Sequence, residues 1–394
     1  MQVVVIGGGI FGQVVAWRLA RRGAEVTLIE AVAAASGESG SGDRSRVVRA
    51  MYGEHRFALA GAASLDLFAE WSRELGVPMV ETCGVIYLER DEDEGGHAAF
   101  TGAMDRGMSA LAALGRPFEV MTPGAAARRW PALSPNGLRR VVIERDGGYG
   151  RAALATRAIA RASRAAGVKH VAARAESIEK ERVGFVVEAT ARDETRLHFT
   201  ADTVVIAAGF AGAALVAPHL AAPLDIRRIP HFTSYWDIPE GEAAHLALGA
   251  LPVWAELGAG LYGFPDDGES GFKVAWHAPR WDASGDASGD ASASPSGVAA
   301  GPPEDTEWLR RAVAPRFAAM RHATLRSVYR CAYDATIDEG FLVGEVPGSP
   351  RLWFVGGMSG HGFKHGPAIG ESVAAAVLGE PPLLDLSSFA LPTP

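Results

Sequence analysis

Among side chains able to do chemistry, lysine is the scarce one here. Of 38 Lys and Arg residues, only Lys169, Lys180, Lys273 and Lys364 are lysine. Lysine offers a compact point charge where arginine offers a planar fork, so the two do not substitute freely at a chemical site. Either the four are incidental or some are kept for chemistry. Lys364 is the most suggestive, wedged among glycines in "MSGHGFKHGPAIG" (358–370). Only two cysteines occur, Cys83 and Cys331, which excludes a disulfide framework or an all-cysteine metal site.

The second chemical signal is at the start. Gly7, Gly9 and Gly12 form G-x-G-x-x-G directly after the apolar run "QVVVI" and at the head of a helical pattern. Gly7 permits the tight turn, Gly9 lets the backbone approach a pyrophosphate, and Gly12 allows close helix–strand packing. The helix N-terminus offers free N–H groups to phosphate. Glu30 closes the next apolar run, where an acid takes ribose hydroxyls. Two more strands end in small residues, "TADTVVIAAG" (200–209) and "LWFVGGMSGHG" (352–362). Ligands of open α/β sheets sit at such carboxyl ends, and three of them spread over the chain suit a long cofactor, FAD rather than NAD.

The elements that must position these residues follow from periodicity. Residues 2–30 read as a βαβ unit and 56–75 as an amphipathic helix. Residues 83–90 read as a strand, 146–150 ("DGGYG") as a turn, and 151–167 as an Ala/Arg helix. Hairpins are expected in 184–209 and 260–277, a buried strand at 351–357 and a helix at 366–379. The tract 282–303 is rich in Gly, Ser and Asp and reads as a flexible surface loop, an insertion or a lid. The expected fold class is α/β: a discontinuous Rossmann-like nucleotide domain (1–80, 147–216 and 324–390) interrupted by a β-rich, α+β substrate domain (81–146 and 217–323). A net charge of −8 without a basic cluster argues against nucleic acid or an anionic membrane as partner. No apolar run is long enough to span a bilayer, and the first strand begins at residue 2, so a cytoplasmic protein is expected.

Several motifs together resemble the monomeric sarcosine oxidase-like flavoenzymes of the D-amino-acid-oxidase superfamily. They are "GGGIFG", "GDRSRVVRAMYGE" (42–54), "RWPAL" (129–133), "LYGFPDDGESGFKVAWH" (261–277), "CAYDATIDEGF" (331–341) and "GHGFK" (360–364). Two features depart from the family pattern: one extra residue in "GDRSR", and a long 282–303 tract. The resemblance implies FAD as cofactor, a small amine substrate bearing a carboxylate, O2 as electron acceptor, and a monomer. The implied reaction oxidises the secondary amine of an amino acid, of sarcosine or N-methyl type, to an imine with release of H2O2. A cyclic imino acid such as a pipecolate or piperideine carboxylate is the alternative substrate. A flavin-dependent dehydrogenase that avoids O2 is a further one.

Residue by residue, the resemblance implies that Arg49 and Lys364 bind the substrate carboxylate by charge-assisted bonds. Lys273 matches a lysine that activates O2, where a fixed cation favours the anion first formed. Arg46 lies beside the flavin, Tyr262 and His277 orient the substrate, and Tyr333 walls the pocket. Glu54 would pair with Arg49, while His361 serves loop architecture. Cys331 matches a cysteine joined to the flavin by a thioether, its thiol pKa lowered by nearby Arg and Lys; on spacing alone it reads as a small buried side chain. Gly7, Gly9, Ile10, Phe11, Gly12, Glu30, Gly209, Gly357, Gly360, Gly362, Phe363 and Lys364 would contact the cofactor. No metal is expected.

Overall fold

The computed structural model describes residues 1–36, 40, 42–91, 102–277 and 303–392; the tract 282–303 thus lies almost wholly outside the described residues. In chain order the strands are β1 (Gln2–Ile6), β2 (Glu25–Glu30), β3 (Arg46–Val48), β4 (Val80–Glu81), β5 (Val85–Arg90), β6 (Phe118–Met121), β7 (Leu138–Glu144), β8 (Gly148–Gly150), β9 (Lys169–Lys180) and β10 (Phe185–Ala191). They continue as β11 (Arg196–Ala201), β12 (Thr203–Ile206), β13 (Ile226–Asp237), β14 (Val253–Glu256), β15 (Leu261–Phe264), β16 (Phe272–Trp276), β17 (Thr324–Thr336), β18 (Leu342–Glu345) and β19 (Leu352–Gly356).

One eight-stranded sheet has the order β11-β10-β9-β2-β1-β12-β19-β18. Its centre is parallel: β1 pairs with β2 and β12, and β12 with β19. Val3, Val4, Val5 and Ile6 are all buried, as expected of a strand covered on both faces. The helices Ile10–Arg21 and Gly366–Val377 pack on it, so the first and last parts of the chain build one layer. The carboxyl ends of β1, β12 and β19 therefore lie side by side, which brings the three glycine-rich strand ends together.

A second eight-stranded sheet has the order β17-β13-β16-β15-β14-β5-β7-β6, and β3, β8 and β4 form a small third sheet between chain segments. Strand β17 pairs along the length of β13. It therefore belongs to the second sheet, although the boundary expected at 324 grouped it with the nucleotide-binding segments. The expected turn at "DGGYG" is instead strand β8, paired with both β3 and β4. Its glycines serve proximity rather than turning: a Cβ on Gly148 would lie 2.1 Å from the Glu81 carbonyl oxygen. Among the described residues no helix is long and apolar enough to cross a membrane.

Candidate active site

One continuous cavity of about 600 Å³ runs from the Gly7–Gly9 loop to Lys273, His277 and Lys364. At its first end, Gly7 adopts φ +107°, and a Cβ there would lie 2.3 Å from the Ala207 carbonyl oxygen. A Cβ on Gly12 would lie 1.9 Å from the Gly7 carbonyl oxygen, so the helix can start beneath the loop only because residue 12 has no side chain. The helix Ile10–Arg21 begins at Gly9 with no side-chain hydrogen bond at its cap, and its positive end faces the cavity lined by Gly9, Ile10 and Phe11. Glu30 lines the same end and accepts from the Gly8 and Val32 backbone N–H groups. Of the residues expected at a cofactor, Gly12 and Gly357 do not line the cavity. Both pack behind it: Gly12 under Gly7, and Gly357 against Thr336 and Leu342.

Further along the wall, Lys273 is 2% exposed and donates to Asp43 Oδ2 at 2.6 Å, to the Ser45 carbonyl at 3.0 Å and to Ser45 Oγ at 3.2 Å. Arg46 Nη1 meets the same Asp43 oxygen at 2.5 Å, and the Tyr235 hydroxyl donates to Asp43 Oδ1. Burial lowers the Lys273 pKa to about 8, with Asp43 opposing the fall. Asp43 was not anticipated as a site residue, although an acid three residues before Arg46 in "GDRSR" is a readable signal.

The same cavity is lined by two more basic side chains, Arg49 and Lys364. Arg49 places its guanidinium carbon 3.8 Å from the centre of the Tyr52 ring and donates to the Met51 carbonyl. Lys364, 4% exposed, donates to the His361 carbonyl at 3.0 Å and lies 5.7 Å from the same Tyr52 ring. Among the described residues no carboxylate forms a salt bridge with either. Burial first, then Arg49 and Arg46, holds the Lys364 pKa well below the usual lysine range. The expected pairing of Glu54 with Arg49 does not form, because Glu54 meets Arg56. The buried Glu144 instead accepts from the Ala50 and Met51 N–H groups and from the Tyr87 hydroxyl, fixing the backbone just after Arg49. His277 also lines the cavity; burial, then Lys364 and Arg49, lowers its pKa to about 4, so its imidazole is neutral.

Strands β13 and β17 supply the remaining wall. Cys331 faces His231 across the strand pair, and Tyr333 stacks on His231 at 4.4 Å and lies 5.6 Å from His277. Burial pushes the Cys331 thiol up to about 11, overriding Arg46 and Lys273. The expected net lowering is therefore not seen: Arg46 and Lys273 do favour the thiolate, but burial outweighs them and Asp43 offsets part of their field. Tyr262 lines the cavity with its pKa raised to about 12, chiefly by burial. Three polar atoms of wall residues, His231 Nε2, Thr233 Oγ1 and Asp334 Oδ2, are buried without a hydrogen-bond partner. Such groups are costly unless a ligand answers them.

Gly209 (φ +55°), Ile10, Phe11, Gly360, Gly362 and Phe363 line the cavity too. Gly360 adopts φ +74°, and a Cβ there would lie 2.5 Å from the Tyr333 ring. Cys83 lies outside this cavity, partly buried against a core cluster.

Comparison with known proteins agrees with this architecture. An N-methyl-L-tryptophan oxidase of Yersinia pestis is 25% identical over 396 aligned residues, covering 99% of this chain and 98% of the relative. The structure superposes on glycine oxidase from Geobacillus kaustophilus with a TM-score of 0.78 at 21% identity, covering 100% of this chain and 98% of that one. L-proline dehydrogenase from P. horikoshii gives a TM-score of 0.80 at 19% identity, covering 99% and 96%. The family model described as FAD dependent oxidoreductase matches residues 2–376. With the glycine loop, the clustered strand ends and the long cavity that joins them, this match makes the chain a member of the FAD-dependent oxidoreductases of the D-amino-acid-oxidase superfamily.

Proposed function

We infer that the protein is an FAD-dependent oxidase of the secondary amine of an amino acid, of N-methyl type, that forms an imine and reduces O2 to H2O2. The observation carrying this reading is the pair Arg49 and Lys364: a half-buried guanidinium and a buried lysine amine lining the same cavity, with no carboxylate in salt-bridge contact with either among the described residues. Burial and Arg49 disfavour the ammonium form of Lys364 and the nearby Glu144 offsets this only in part, so a carboxylate arriving with the substrate would restore that charge and be held by the pair.

The residues present fit FAD. The Gly7–Gly9 loop and helix N-terminus suit its pyrophosphate, Glu30 its ribose, and the Gly360–Lys364 loop and the β13–β17 wall its ring system. When bound, FAD supplies a two-electron acceptor for the carbon next to nitrogen. The chain's own residues do the rest. Arg49 and Lys364 hold the carboxylate and thereby fix the α-carbon. Neutral His277 and the un-ionised Tyr262 hydroxyl orient the amine, and the surrounding cations favour the amine without its extra proton. Lys273, kept in place by Asp43, supplies the cation toward O2. Cys331 is the residue in this wall able to form a covalent bond to the cofactor.

The test is a peroxide-linked screen of the purified holoenzyme against N-methyl amino acids, primary amino acids, cyclic imino acids and the matching decarboxylated amines. N-methyl amino acids should turn over with H2O2 production, and the decarboxylated amines should lose about 10²-fold or more in kcat/KM. Equal use of the decarboxylated amines would overturn the carboxylate reading. Substrate oxidation by an artificial acceptor without O2 uptake would overturn the oxidase reading.

A further inference from the structure

The arrangement around Tyr52 raises a separate question: what keeps the basic groups of Arg49 and Lys364 apart and aimed together in one partly buried site? Both lie over one ring, the Arg49 guanidinium at 3.8 Å and the Lys364 ammonium at 5.7 Å from its centre. A cation within about 6 Å of an aromatic face is attracted by the ring quadrupole, an attraction that grows when the site is dry. One aromatic ring shared by the two groups thus offsets part of the repulsion between them.

His361 then fixes that ring. Its Nδ1 lies 3.2 Å from the Tyr52 hydroxyl, and its Nε2 lies 3.0 Å from the Glu339 carbonyl. A carbonyl only accepts, so Nε2 carries the hydrogen. Burial first, then Lys364, holds His361 well below its ordinary pKa, so the ring is neutral and Nδ1 accepts. The Tyr52 hydroxyl must therefore donate, which moves electron density toward the ring that faces the cations. The backbone of the same histidine also accepts from the Lys364 ammonium at 3.0 Å. His361 thus touches both partners of the clamp, one through its ring and one through its carbonyl. The rings of Phe57 and Phe341 pack on His361 at 5.1 and 4.6 Å and leave it little room to turn.

We propose that Tyr52 and His361 are positioning residues for substrate carboxylate recognition, holding Arg49 and Lys364 in the spacing that accepts one carboxylate. The proposal rests on the reading of Arg49 and Lys364 as carboxylate ligands given above.

The experiment uses holoenzyme and simple monocarboxylates (acetate, propionate, benzoate), each with its amide as the uncharged control, with affinity read from the flavin absorption change. Tyr52→Phe keeps the ring and loses the hydrogen bond to His361; carboxylate binding should weaken about 2- to 10-fold. Tyr52→Leu removes the shared ring; binding should weaken about 10- to 100-fold. His361→Asn retains an acceptor for the Tyr52 hydroxyl and should bind more tightly than His361→Leu. Amide binding should not follow this order, and flavin content of Tyr52→Phe should match the parent protein. Carboxylate affinities unchanged in Tyr52→Phe and in His361→Leu would overturn the proposal, and neither result depends on the leucine variant at 52 folding. A parent protein that responds to no carboxylate would overturn the underlying reading of Arg49 and Lys364, a different failure from the first.

Discussion

The wall around Lys273 shows how one carboxylate can set the working range of a cation 230 positions away in the chain. Burial alone drives a lysine toward its neutral form, and Asp43 at 2.6 Å resists that fall. Arg46 bonds the same oxygen, so the two cations share one negative charge. Asp43→Asn removes the counter-ion and leaves burial and Arg46 acting together against the ammonium. The Lys273 pKa should then drop from about 8 by roughly 1–3 units. A role that needs the ammonium is present below its pKa and lost as pH rises through it. Under the proposed role, the pH limb for reoxidation by O2 should therefore move to lower pH in Asp43→Asn. Lys273→Met should lose that limb and slow the step about 10²- to 10³-fold, while anaerobic reduction by substrate stays close to parental. Rapid-mixing measurement of reoxidation across pH checks both. An unmoved limb in Asp43→Asn would mean that the group titrating there is not Lys273.

At the scale of elements, glycines decide where backbones meet, and local spacing reveals only some of those meetings. Gly7 and Gly12 were legible because a strand, a turn and a helix follow one another within a dozen residues, and local spacing alone fixes their contact. Gly12→Ala should force a Cβ to within 1.9 Å of the Gly7 carbonyl, a backbone atom that cannot turn aside. We expect a loss of about 1–3 kcal/mol in stability and a fall in bound FAD, measured by denaturant unfolding and by flavin content. Local spacing around Gly148 suggests a turn, yet it lies in a strand, because the partners of β8 come from β3 and β4, some 70 to 100 positions upstream. The same limit hid Asp43 with Lys273, Glu144 beneath the segment after Arg49, and His361 with Tyr52. Each pair joins distant segments, so no local spacing reports it. Arg49, Lys273 and Lys364 could be singled out because each sits within a short motif. The Cys331 environment could not be judged from neighbouring residue types, because the depth of burial that raises its pKa comes from the assembled sheets.

For the whole molecule, the cavity is bounded by both large sheets: the carboxyl ends of β1 and β12 form one side and β13, β15, β16 and β17 the other. In the proposed division into nucleotide-binding and substrate parts, with β17 counted among the latter, a cofactor filling this cavity contacts both. Its binding energy then acts between the parts and adds to the stability of the folded chain by mass action. A covalent bond from Cys331 would change that dependence, because a tethered group cannot be lost on dilution. In the parent protein, Tm should be independent of added FAD, and acid precipitation should leave the flavin in the pellet. In Cys331→Ser the flavin should be released by acid, and Tm should rise with free FAD, by the equivalent of about 2.7 kcal/mol at a hundred times its Kd. Serine is close in size to cysteine, so a packing change contributes little to the difference. Thermal melts of both proteins, with and without FAD, separate the outcomes. Parent and variant melts that respond equally to FAD would show that Cys331 is only a wall residue, and that the two sheets are joined by a cofactor in exchange with solution.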